Sequence, residues 1–386
     1  MENTAESTIE TPLATIHRAA GAKMGVWFGC ALPDDWGNPQ EEQRFANQSV
    51  ALIDKNYRAY FTFTGPDRVR YLNAILTNNI KDLREGEGAI SLLLNSQGRI
   101  RAELETFAGG DELFCVSYLM IREGLMELLD KYIIMDDVSL TDVSDKFGTL
   151  ALEGPLAEKI ALELTDLDLT ALSPLGWTQG LVNPVASGSV APIPCRIVKR
   201  SGTSVPAVEF VVQREHLEPL WNALLKATHV HGGGPMGYRA LSAQRLAQGI
   251  PWFGYDFSEK QIPHEAGLEF THISYTKGCY TGQEIVERVR SRGQVNRRRV
   301  ELLFSGDGVP ETGASLTVNE QTVGYVTRAA RSWFPAAVLG MGYVGKDHRA
   351  LGTVVKWSGG SAIIEEFQNA LRPALNNSGT EKVSRT

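Results

Sequence analysis

The stretch YFTFTGPDRVRYLNAIL, residues 60–76, changes from one kind of local pattern to another within a few positions. Aromatic residues alternate with threonine over residues 60–64, as in a β-strand, and a Gly-Pro pair then interrupts the alternation. Beyond it, Val69, Leu72 and Ile75 recur at the spacing of one helix face. The stretch therefore predicts a strand, a tight turn and an amphipathic helix.

The same order recurs in TLALEGPLAEKIALEL, residues 149–164. Between the two copies, residues 90–94 and 104–107 have strand-like composition and flank the turn-forming segment 95–98. Strand–turn–helix units mixed with antiparallel hairpins favour an α+β fold over a doubly wound parallel sheet.

Beyond about Val300 the pattern changes to short β-like runs separated by Gly and Pro, which predicts a small barrel or sandwich. We therefore expect a core over residues 11–299, made of two α+β subdomains whose segments can interleave in sequence, and a C-terminal β-barrel over 300–370. Residues 1–10 are predicted to form a disordered lead-in and residues 371–386 a flexible tail.

The composition is that of an ordinary globular protein, with 386 residues, 43% hydrophobic residues and a net charge of −7. This acidic balance argues against a surface that binds nucleic acid over its whole extent. No apolar run is long enough to span a bilayer, and the acidic start shows no targeting pattern, so a cytoplasmic location is expected. The four cysteines and seven histidines show no metal-ligand spacing, so no metal site is predicted.

The densest local motif is KGCYTGQE, residues 277–284. Gly278 and Gly282 bracket Cys279 and permit a tight turn close to a ligand. Lys277 beside Cys279 is a setting that can lower a thiol pKa. A turn that carries an incidental cysteine is the alternative.

Six arginines and no acid lie within residues 288–299. Guanidinium groups suit phosphates and carboxylates, so a polyanionic ligand, RNA or a polyglutamate tail are candidates. A solvated linker before the C-terminal domain is an equally good interpretation.

Glu209 lies inside the apolar run VEFVV, residues 208–212. A buried carboxylate there could accept paired N–H donors from an aminopyrimidine-like ligand, whereas a water-facing strand residue is the simpler interpretation.

Taken together, these motifs resemble the YgfZ-type folate-binding proteins, a branch of the glycine-cleavage T-protein superfamily. The octapeptide 277–284 resembles the signature of that branch, and Arg292-Gly293-Gln294 follows in the family's order. The resemblance extends from about residue 11 to about residue 367. It implies two α+β domains and a C-terminal barrel arranged as a ring around a central tetrahydrofolate pocket.

The resemblance also implies roles for individual residues. Glu209 falls on the acid that hydrogen-bonds the pterin, and Cys279 falls on the branch's characteristic cysteine. The family's catalytic aspartate falls on Ala102, and Glu103 aligns with the aspartate that follows it. An arginine of the pterin pocket appears as Leu241. The expected catalytic residues are thus Cys279 and Glu103, and the expected folate-binding residues are Glu209, Arg239, Lys277, Gly278, Tyr280, Gly282, Gln283 and Arg292.

Three functions remain open at this point. The first is a tetrahydrofolate-binding, YgfZ-like accessory protein, which the resemblance links to iron–sulfur protein assembly or repair and to tRNA modification. The second is a folate-dependent aminomethyltransferase or another one-carbon transferase, against which Ala102 counts because a methyl group cannot take part in proton transfer. The third and weakest is an RNA-binding module that uses the arginine run, with tRNA as the partner.

Overall fold

A computed structural model describes residues 8–183, 191–200, 205–306 and 308–366. Most of the predicted lead-in (residues 1–7) and the whole predicted tail (371–386) lie outside these ranges. The strands are β1 (Ile9–Glu10), β2 (Lys23–Trp27), β3 (Cys30–Asp35), β4 (Ala51–Asp54), β5 (Arg58–Thr64), β6 (Gly88–Leu94), β7 (Ile100–Ala108), β8 (Leu113–Tyr118), β9 (Ser139–Asp142), β10 (Phe147–Glu153), β11 (Trp177–Val182), β12 (Ile193–Lys199), β13 (Ala207–Gln213), β14 (Gly234–Pro235), β15 (Arg297–Phe304), β16 (Ser315–Val318), β17 (Gln321–Trp333), β18 (Ala336–Gly345), β19 (Val354–Trp357) and β20 (Gly360–Glu365). The helices are α1 (Ala14–Ala19), α2 (Pro39–Gln48), α3 (Arg68–Ile75), α4 (Arg122–Lys131), α5 (Ala157–Thr165), α6 (Leu217–Val230), α7 (Tyr238–Ala247), α8 (Pro263–Ala266) and α9 (Gln283–Arg292).

Two sheets form the core of the molecule: a five-stranded antiparallel sheet, and a six-stranded sheet that is antiparallel except for the parallel pair β14–β4. One has the order β6-β7-β8-β5-β9, and the other has the order β11-β12-β13-β10-β4-β14. The second sheet takes β4 from before the first sheet's strands and β10–β14 from after them, so the two units interleave in sequence.

The strand–turn–helix prediction for residues 60–76 is confirmed by β5 and α3. Gly65 makes the turn between them with φ +94°, and a Cβ there would lie 2.4 Å from the carbonyl oxygen of Asp137. Only glycine tolerates both the left-handed backbone and this close approach.

Each sheet has one apolar face that helices cover and one face that looks toward the other sheet. The layer between the sheets contains both apolar and polar side chains. In β13, Val208 and Phe210 pack into the cluster that α5 and α6 cover, whereas Val211 packs with Phe114 and Tyr60 of the first sheet. Because side chains alternate along a strand, Glu209 points to the same side as Val211, between the two sheets. The polar residues described below lie in this layer.

The C-terminal region is a closed six-stranded barrel in the order β15-β18-β17-β16-β19-β20. Its seam with the core includes a buried ion pair between Arg328 and Asp256, with Nη2 2.6 Å from Oδ2. Leu246 of α7 packs against Leu339 and Met341 of β18 beside this pair. The α+β architecture with a C-terminal β-barrel is therefore confirmed. Across the described ranges no helix is both long and apolar enough to cross a membrane.

Candidate active site between the two sheets

A fully buried carboxylate, that of Glu209, is the centre of the layer between the sheets. Its oxygens accept from Lys55 Nζ at 2.6 Å and from Arg58 Nη1 and Nη2 at 2.6 and 3.0 Å. Arg200 Nε approaches to 3.4 Å as a further ion-pair partner. Burial alone would raise the pKa of Glu209, but Arg200, Arg58 and Lys55 outweigh it and hold this pKa well below its usual range. Glu209 is therefore an anion that three cations surround.

Glu105 of β7 is the second carboxylate of this cluster. Its Oε1 accepts from Arg200 Nη2 at 2.5 Å, while its Oε2 lies 3.7 Å from Arg58 Nη1. Lys55, Arg58 and Arg200 together carry three positive charges against the two negative charges of Glu105 and Glu209. Burial lowers the pKa of Lys55 to about 8, and Glu209 opposes that effect. With Lys55 protonated, the cluster has one excess positive charge in a place where water is scarce.

A second polar group, centred on Glu103, lies two residues before Glu105 on the same face of β7. Glu103 accepts from Tyr118 Oη at 2.7 Å through Oε2, and its Oε1 lies 3.0 Å from His272 Nε2. His272 Nδ1 in turn lies 2.6 Å from Thr271 Oγ1. Both Glu103 oxygens are thus held by groups from different parts of the chain, a pattern that orients a carboxylate for proton transfer.

Ala102 lies on the opposite face of β7 from Glu103. It pairs with Leu93 across the hairpin and is buried in the apolar cluster that includes Leu104 and Leu72 of α3. A side chain at position 102 of this backbone therefore faces the helix-covered core, and the carboxylate that reaches the layer between the sheets is that of Glu103.

Aromatic rings lie between the charged cluster around Glu209 and the polar group around Glu103. Phe28 stacks on Tyr57 with ring centroids 4.3 Å apart, and Tyr57 stacks on Tyr118 at 5.8 Å. Tyr118 holds Glu103, and Tyr57 precedes Arg58 of the charged cluster. These rings form an apolar wall between the Glu103 carboxylate and the ion pairs around Glu209. Aromatic linings of this kind are common in ligand pockets.

The octapeptide 277–284 wraps around the end of the β6–β7 hairpin. Lys277 Nζ donates to the carbonyl oxygens of Asn73 and Leu76 at the end of α3, and burial lowers its pKa to about 8. Gly282 directly precedes α9 with φ +81°, and a Cβ there would lie 2.6 Å from the Asn95 carbonyl oxygen. The lysine therefore ties the octapeptide to the end of α3, while Gly282 packs it against the turn of the β6–β7 hairpin, whose second strand carries Glu103.

Comparison with known proteins decides the family. The model described as "GCVT N-terminal domain" matches residues 13–275, and the one described as "Glycine cleavage T-protein C-terminal barrel domain" matches residues 297–359. The chain belongs to the glycine cleavage T-protein family.

Curated relatives and a solved structure agree with this assignment. An aminomethyltransferase of Streptomyces coelicolor is 29% identical over 348 residues, which cover 89% of this chain and 91% of the relative. One of Geobacillus kaustophilus is 28% identical and covers 90% and 93%. The crystal structure of glycine cleavage system aminomethyltransferase T from Bartonella henselae superposes with a TM-score of 0.82 at 21% identity, over 93% of this chain and 96% of that one. That likeness shows the shared fold.

Within this T-protein fold, several expected site residues lie apart from the charged cluster. The half-exposed Arg239 of α7 pairs with Asp34 at 2.6 Å, with its second nitrogen 3.5 Å from Asp35. Of the remaining octapeptide residues, Tyr280 is buried with no hydrogen-bond partner on its hydroxyl, and Gln283 is half-buried at the start of α9. Their contacts with folate stay predictions.

Cys279 is exposed, whereas Cys30, Cys115 and Cys195 are buried, and all four are free thiols. Burial raises the pKa of these three thiols to about 11, 12 and 12. The two hydrogen bonds that the Lys277 ammonium donates go to the carbonyl oxygens of Asn73 and Leu76 at the end of α3, and not to Cys279.

The arginine run is not a linker in this fold, because α9 contains its first half and β15 its second half. Most of its guanidinium groups have partners within the chain, while Arg292 is exposed near the end of α9. The contacts are Arg288 with Glu284, Arg290 with Glu287 and over the Tyr275 ring, Arg297 with Glu265, Arg298 with Glu269, and Arg299 with the Ala266 carbonyl oxygen. These pairs neutralise much of the local positive field on which the prediction of a polyanionic ligand rested.

Sequence reasoning missed the partners that complete the charged cluster around Glu209 and the polar group around Glu103: Lys55, Arg58, Glu105, Tyr118, Arg200 and His272. One signal was available, because acids at 103 and 105 alternate with Ala102 and Leu104 and so lie on one face of a strand. The others come from distant segments and carry no local pattern. Among the described residues, no three His, Cys, Asp or Glu side chains converge as a metal-binding group.

Proposed function

We propose that this protein is a folate-dependent aminomethyltransferase, in which Glu103 is the catalytic carboxylate and the cluster around Glu209 lies at the pterin end of the pocket. The relatives named above carry that activity in their names, which favours this function over the accessory role suggested by the octapeptide. The observation that carries the proposal is the orientation of Glu103 between Tyr118 and His272.

The main argument against a transferase was the methyl group of Ala102. Position 102 faces the apolar core, so a carboxylate there would not reach the layer between the sheets. The acid that does reach this layer is Glu103. Glu103, held by one hydroxyl and one imidazole, is suited to orient an amine and to accept or return a proton. Its side chain is about 12% exposed, so a substrate can displace the remaining water.

Tetrahydrofolate fits the donor set of this layer. The bound folate would supply the nitrogen that accepts the one-carbon unit. The chain offers a planar aromatic wall at Tyr57 and Tyr118, and two buried polar atoms without partners, Glu105 Oε2 and Arg200 Nη1, for the polar edge of the pterin. Glu209 would then hold the cations that shape this end of the pocket.

The test is transfer of an aminomethyl group from a lipoylated carrier to tetrahydrofolate. We expect measurable transfer by the wild-type protein and a loss of roughly 10²-fold or more in Glu103→Gln, the usual range for removing a general acid or base. Glu112→Gln is the matched control. Glu112 lies in the turn between β7 and β8, away from Glu103, and pairs with Arg196. Absence of transfer by the wild-type protein, or equal rates in wild type and Glu103→Gln, would refute the proposal.

A folate-binding accessory protein of the YgfZ type is the second candidate, and the exposed Cys279 within its signature octapeptide favours it. In that case Cys279→Ser would abolish support of iron–sulfur enzyme activity in cells while folate binding is unchanged. Binding to tRNA would show affinity that falls steeply with salt. Full cellular activity in Cys279→Ser would remove this candidate.

A further inference from the structure

Residues 250–257, which follow α7, form a loop rich in aromatic side chains, the aromatic loop. Its rings are those of Trp252, Phe253, Tyr255 and Phe257. The Phe253 ring packs on the ring of Tyr118, with centroids 5.2 Å apart. Tyr118 is the residue whose hydroxyl donates to Glu103 Oε2 at 2.7 Å. One aromatic contact therefore separates the aromatic loop from the side chain that holds Glu103.

The same loop also supports the tip of the β2–β3 hairpin. Tyr255 Oη accepts from the backbone N–H of Phe28 at 3.1 Å, and the Trp252 ring meets the Phe28 ring edge to face at 5.2 Å. Phe28 has φ +53°, a left-handed conformation that bulky residues rarely adopt and that persists only where the surroundings hold it. Because Phe28 stacks on Tyr57, the aromatic loop supports both ends of the aromatic wall.

Asp256 anchors the aromatic loop to the C-terminal barrel. Two consecutive residues of β17 donate to its carboxylate: Thr327 Oγ1 to Oδ1 at 2.9 Å, and Arg328 Nη2 to Oδ2 at 2.6 Å. The backbone N–H of Trp252 donates to Oδ2 as well, at 2.9 Å. All three side chains of this anchor, those of Asp256, Thr327 and Arg328, are buried.

A β-bulge in β17 allows this double contact. Consecutive side chains of a regular strand point to opposite faces, yet those of Thr327 and Arg328 both reach Asp256. The register between β17 and β18 shifts between Val326 and Arg328, so Thr327 is the extra residue of the bulge. A bulge bends its strand and re-aims a side chain, and bulges are frequent next to active sites.

Arg328 contacts more of the aromatic loop than its ion pair with Asp256. Its guanidinium lies over the Trp252 ring, 4.1 Å from the ring centroid, and its Nη2 donates to the Ile250 carbonyl oxygen at 3.3 Å. Its Nη1 donates to Ser242 Oγ of α7 at 3.1 Å. The planar fork of one arginine thus joins the barrel, α7 and the loop, and a lysine ammonium, which is a single point charge, does not reproduce that fork.

We infer that Arg328 is a positioning residue for the transfer reaction, which fixes the place of Tyr118 and thereby the orientation of Glu103. The connection runs from Asp256 through Phe253 to Tyr118. This inference rests on the proposed function, since it takes Glu103 to be the reacting carboxylate. It gives the C-terminal barrel a part in the reaction.

The experiment is a double-mutant cycle on the steady-state transfer of an aminomethyl group from a lipoylated carrier to tetrahydrofolate. Arg328→Lys, which keeps the charge and removes the fork, should lower kcat by roughly 10-fold or more, because a small misplacement of a reacting group slows the reaction. KM for tetrahydrofolate should change by less than about threefold. In Tyr118→Phe, which lacks the hydroxyl that transmits the effect, the same substitution should lower kcat by less than about threefold further.

Val355→Ala is the control for a general loss of barrel stability. Val355 packs inside the barrel, and its truncation should lower the Tm and leave kcat at the wild-type value.

The outcomes separate this inference from the proposed function. Transfer by wild type with an equal kcat in Arg328→Lys, or an equal effect of that substitution with and without the Tyr118 hydroxyl, would overturn the positioning role and leave the transferase function intact. Absence of transfer by wild type would overturn the proposed function, and the positioning role with it. If Arg328→Lys does not fold, as judged by thermal unfolding, Thr327→Val decides, because it removes the other barrel donor to Asp256. It should lower kcat in the same way, and an unchanged kcat there would overturn the inference.

Discussion

Glu103 Oε1 lies 3.0 Å from Nε2 of His272, a contact between residues 169 positions apart in sequence. It joins β7 to the segment that follows α8, which continues directly into the octapeptide. A change in that segment is therefore transmitted to the proposed catalytic carboxylate.

Replacing His272 should lower the turnover number more than it raises KM. Without the imidazole, Glu103 keeps only its contact with Tyr118 and loses its fixed orientation, and small misplacements of a reacting group cost up to about 10²-fold in rate. We expect this in His272→Ala, with partial rescue in His272→Gln, whose amide can still donate. Steady-state kinetics measure both constants, and an unchanged kcat would contradict the positioning role.

Glu209→Ala should destabilise the fold by about 3–5 kcal/mol, since it leaves Lys55, Arg58 and Arg200 buried with a single carboxylate. The folded-state pKa of Glu209 is lowered below its unfolded value, so its contribution is present above about pH 4–5 and is lost as pH falls through the folded pKa. Denaturant unfolding at pH 7 and at pH 3 should show a smaller difference between wild type and variant at the lower pH. Equal differences at both values would show that Glu209 is not the anion of the cluster.

Cys279 should be the single fast-reacting thiol of the native protein. The other three cysteines are buried, and burial raises their pKa values, which suppresses both access and thiolate formation. A thiol-reactive dye should label one equivalent rapidly in wild type and none in Cys279→Ser. Rapid labelling of two or more thiols in wild type would contradict this.

Gly282→Ala and Gly278→Ala should differ in stability although both change the octapeptide. A Cβ at Gly282 meets the Asn95 carbonyl oxygen at 2.6 Å on a backbone with φ +81°, whereas one at Gly278 has no atom within 4 Å. The left-handed conformation alone costs about 1–2 kcal/mol for a residue with a side chain. Thermal unfolding should therefore show a lower Tm for Gly282→Ala only. A matching loss in Gly278→Ala would indicate a structural role for that glycine too.

Local patterns predicted the elements whose residues determine their own conformation. The alternating residues of β5, the Gly65 turn and the apolar face of α3 all follow from adjacent positions. The barrel was visible for the same reason, because short β-like runs between Gly and Pro need no distant information. The candidate site was only partly visible: Glu209 stood out as an acid in an apolar strand, and Glu103 was found through the family resemblance. The cations that surround Glu209 come from β5, from the loop before it and from the residue after β12.

By itself, the sequence determined the α+β architecture, the barrel and the octapeptide, because hydrophobic periodicity and turn residues act over a few positions. Only the tertiary structure decided which face of β7 each residue occupies, which placed Ala102 in the core and Glu103 and Glu105 between the sheets. It also decided that most of the arginine run is neutralised by nearby acids while one buried ion pair keeps an unpaired donor and acceptor. The physical reason is that strand pairing determines which face of the sheet each side chain occupies. Burial then strengthens the interaction between charged side chains that come from distant segments of the chain.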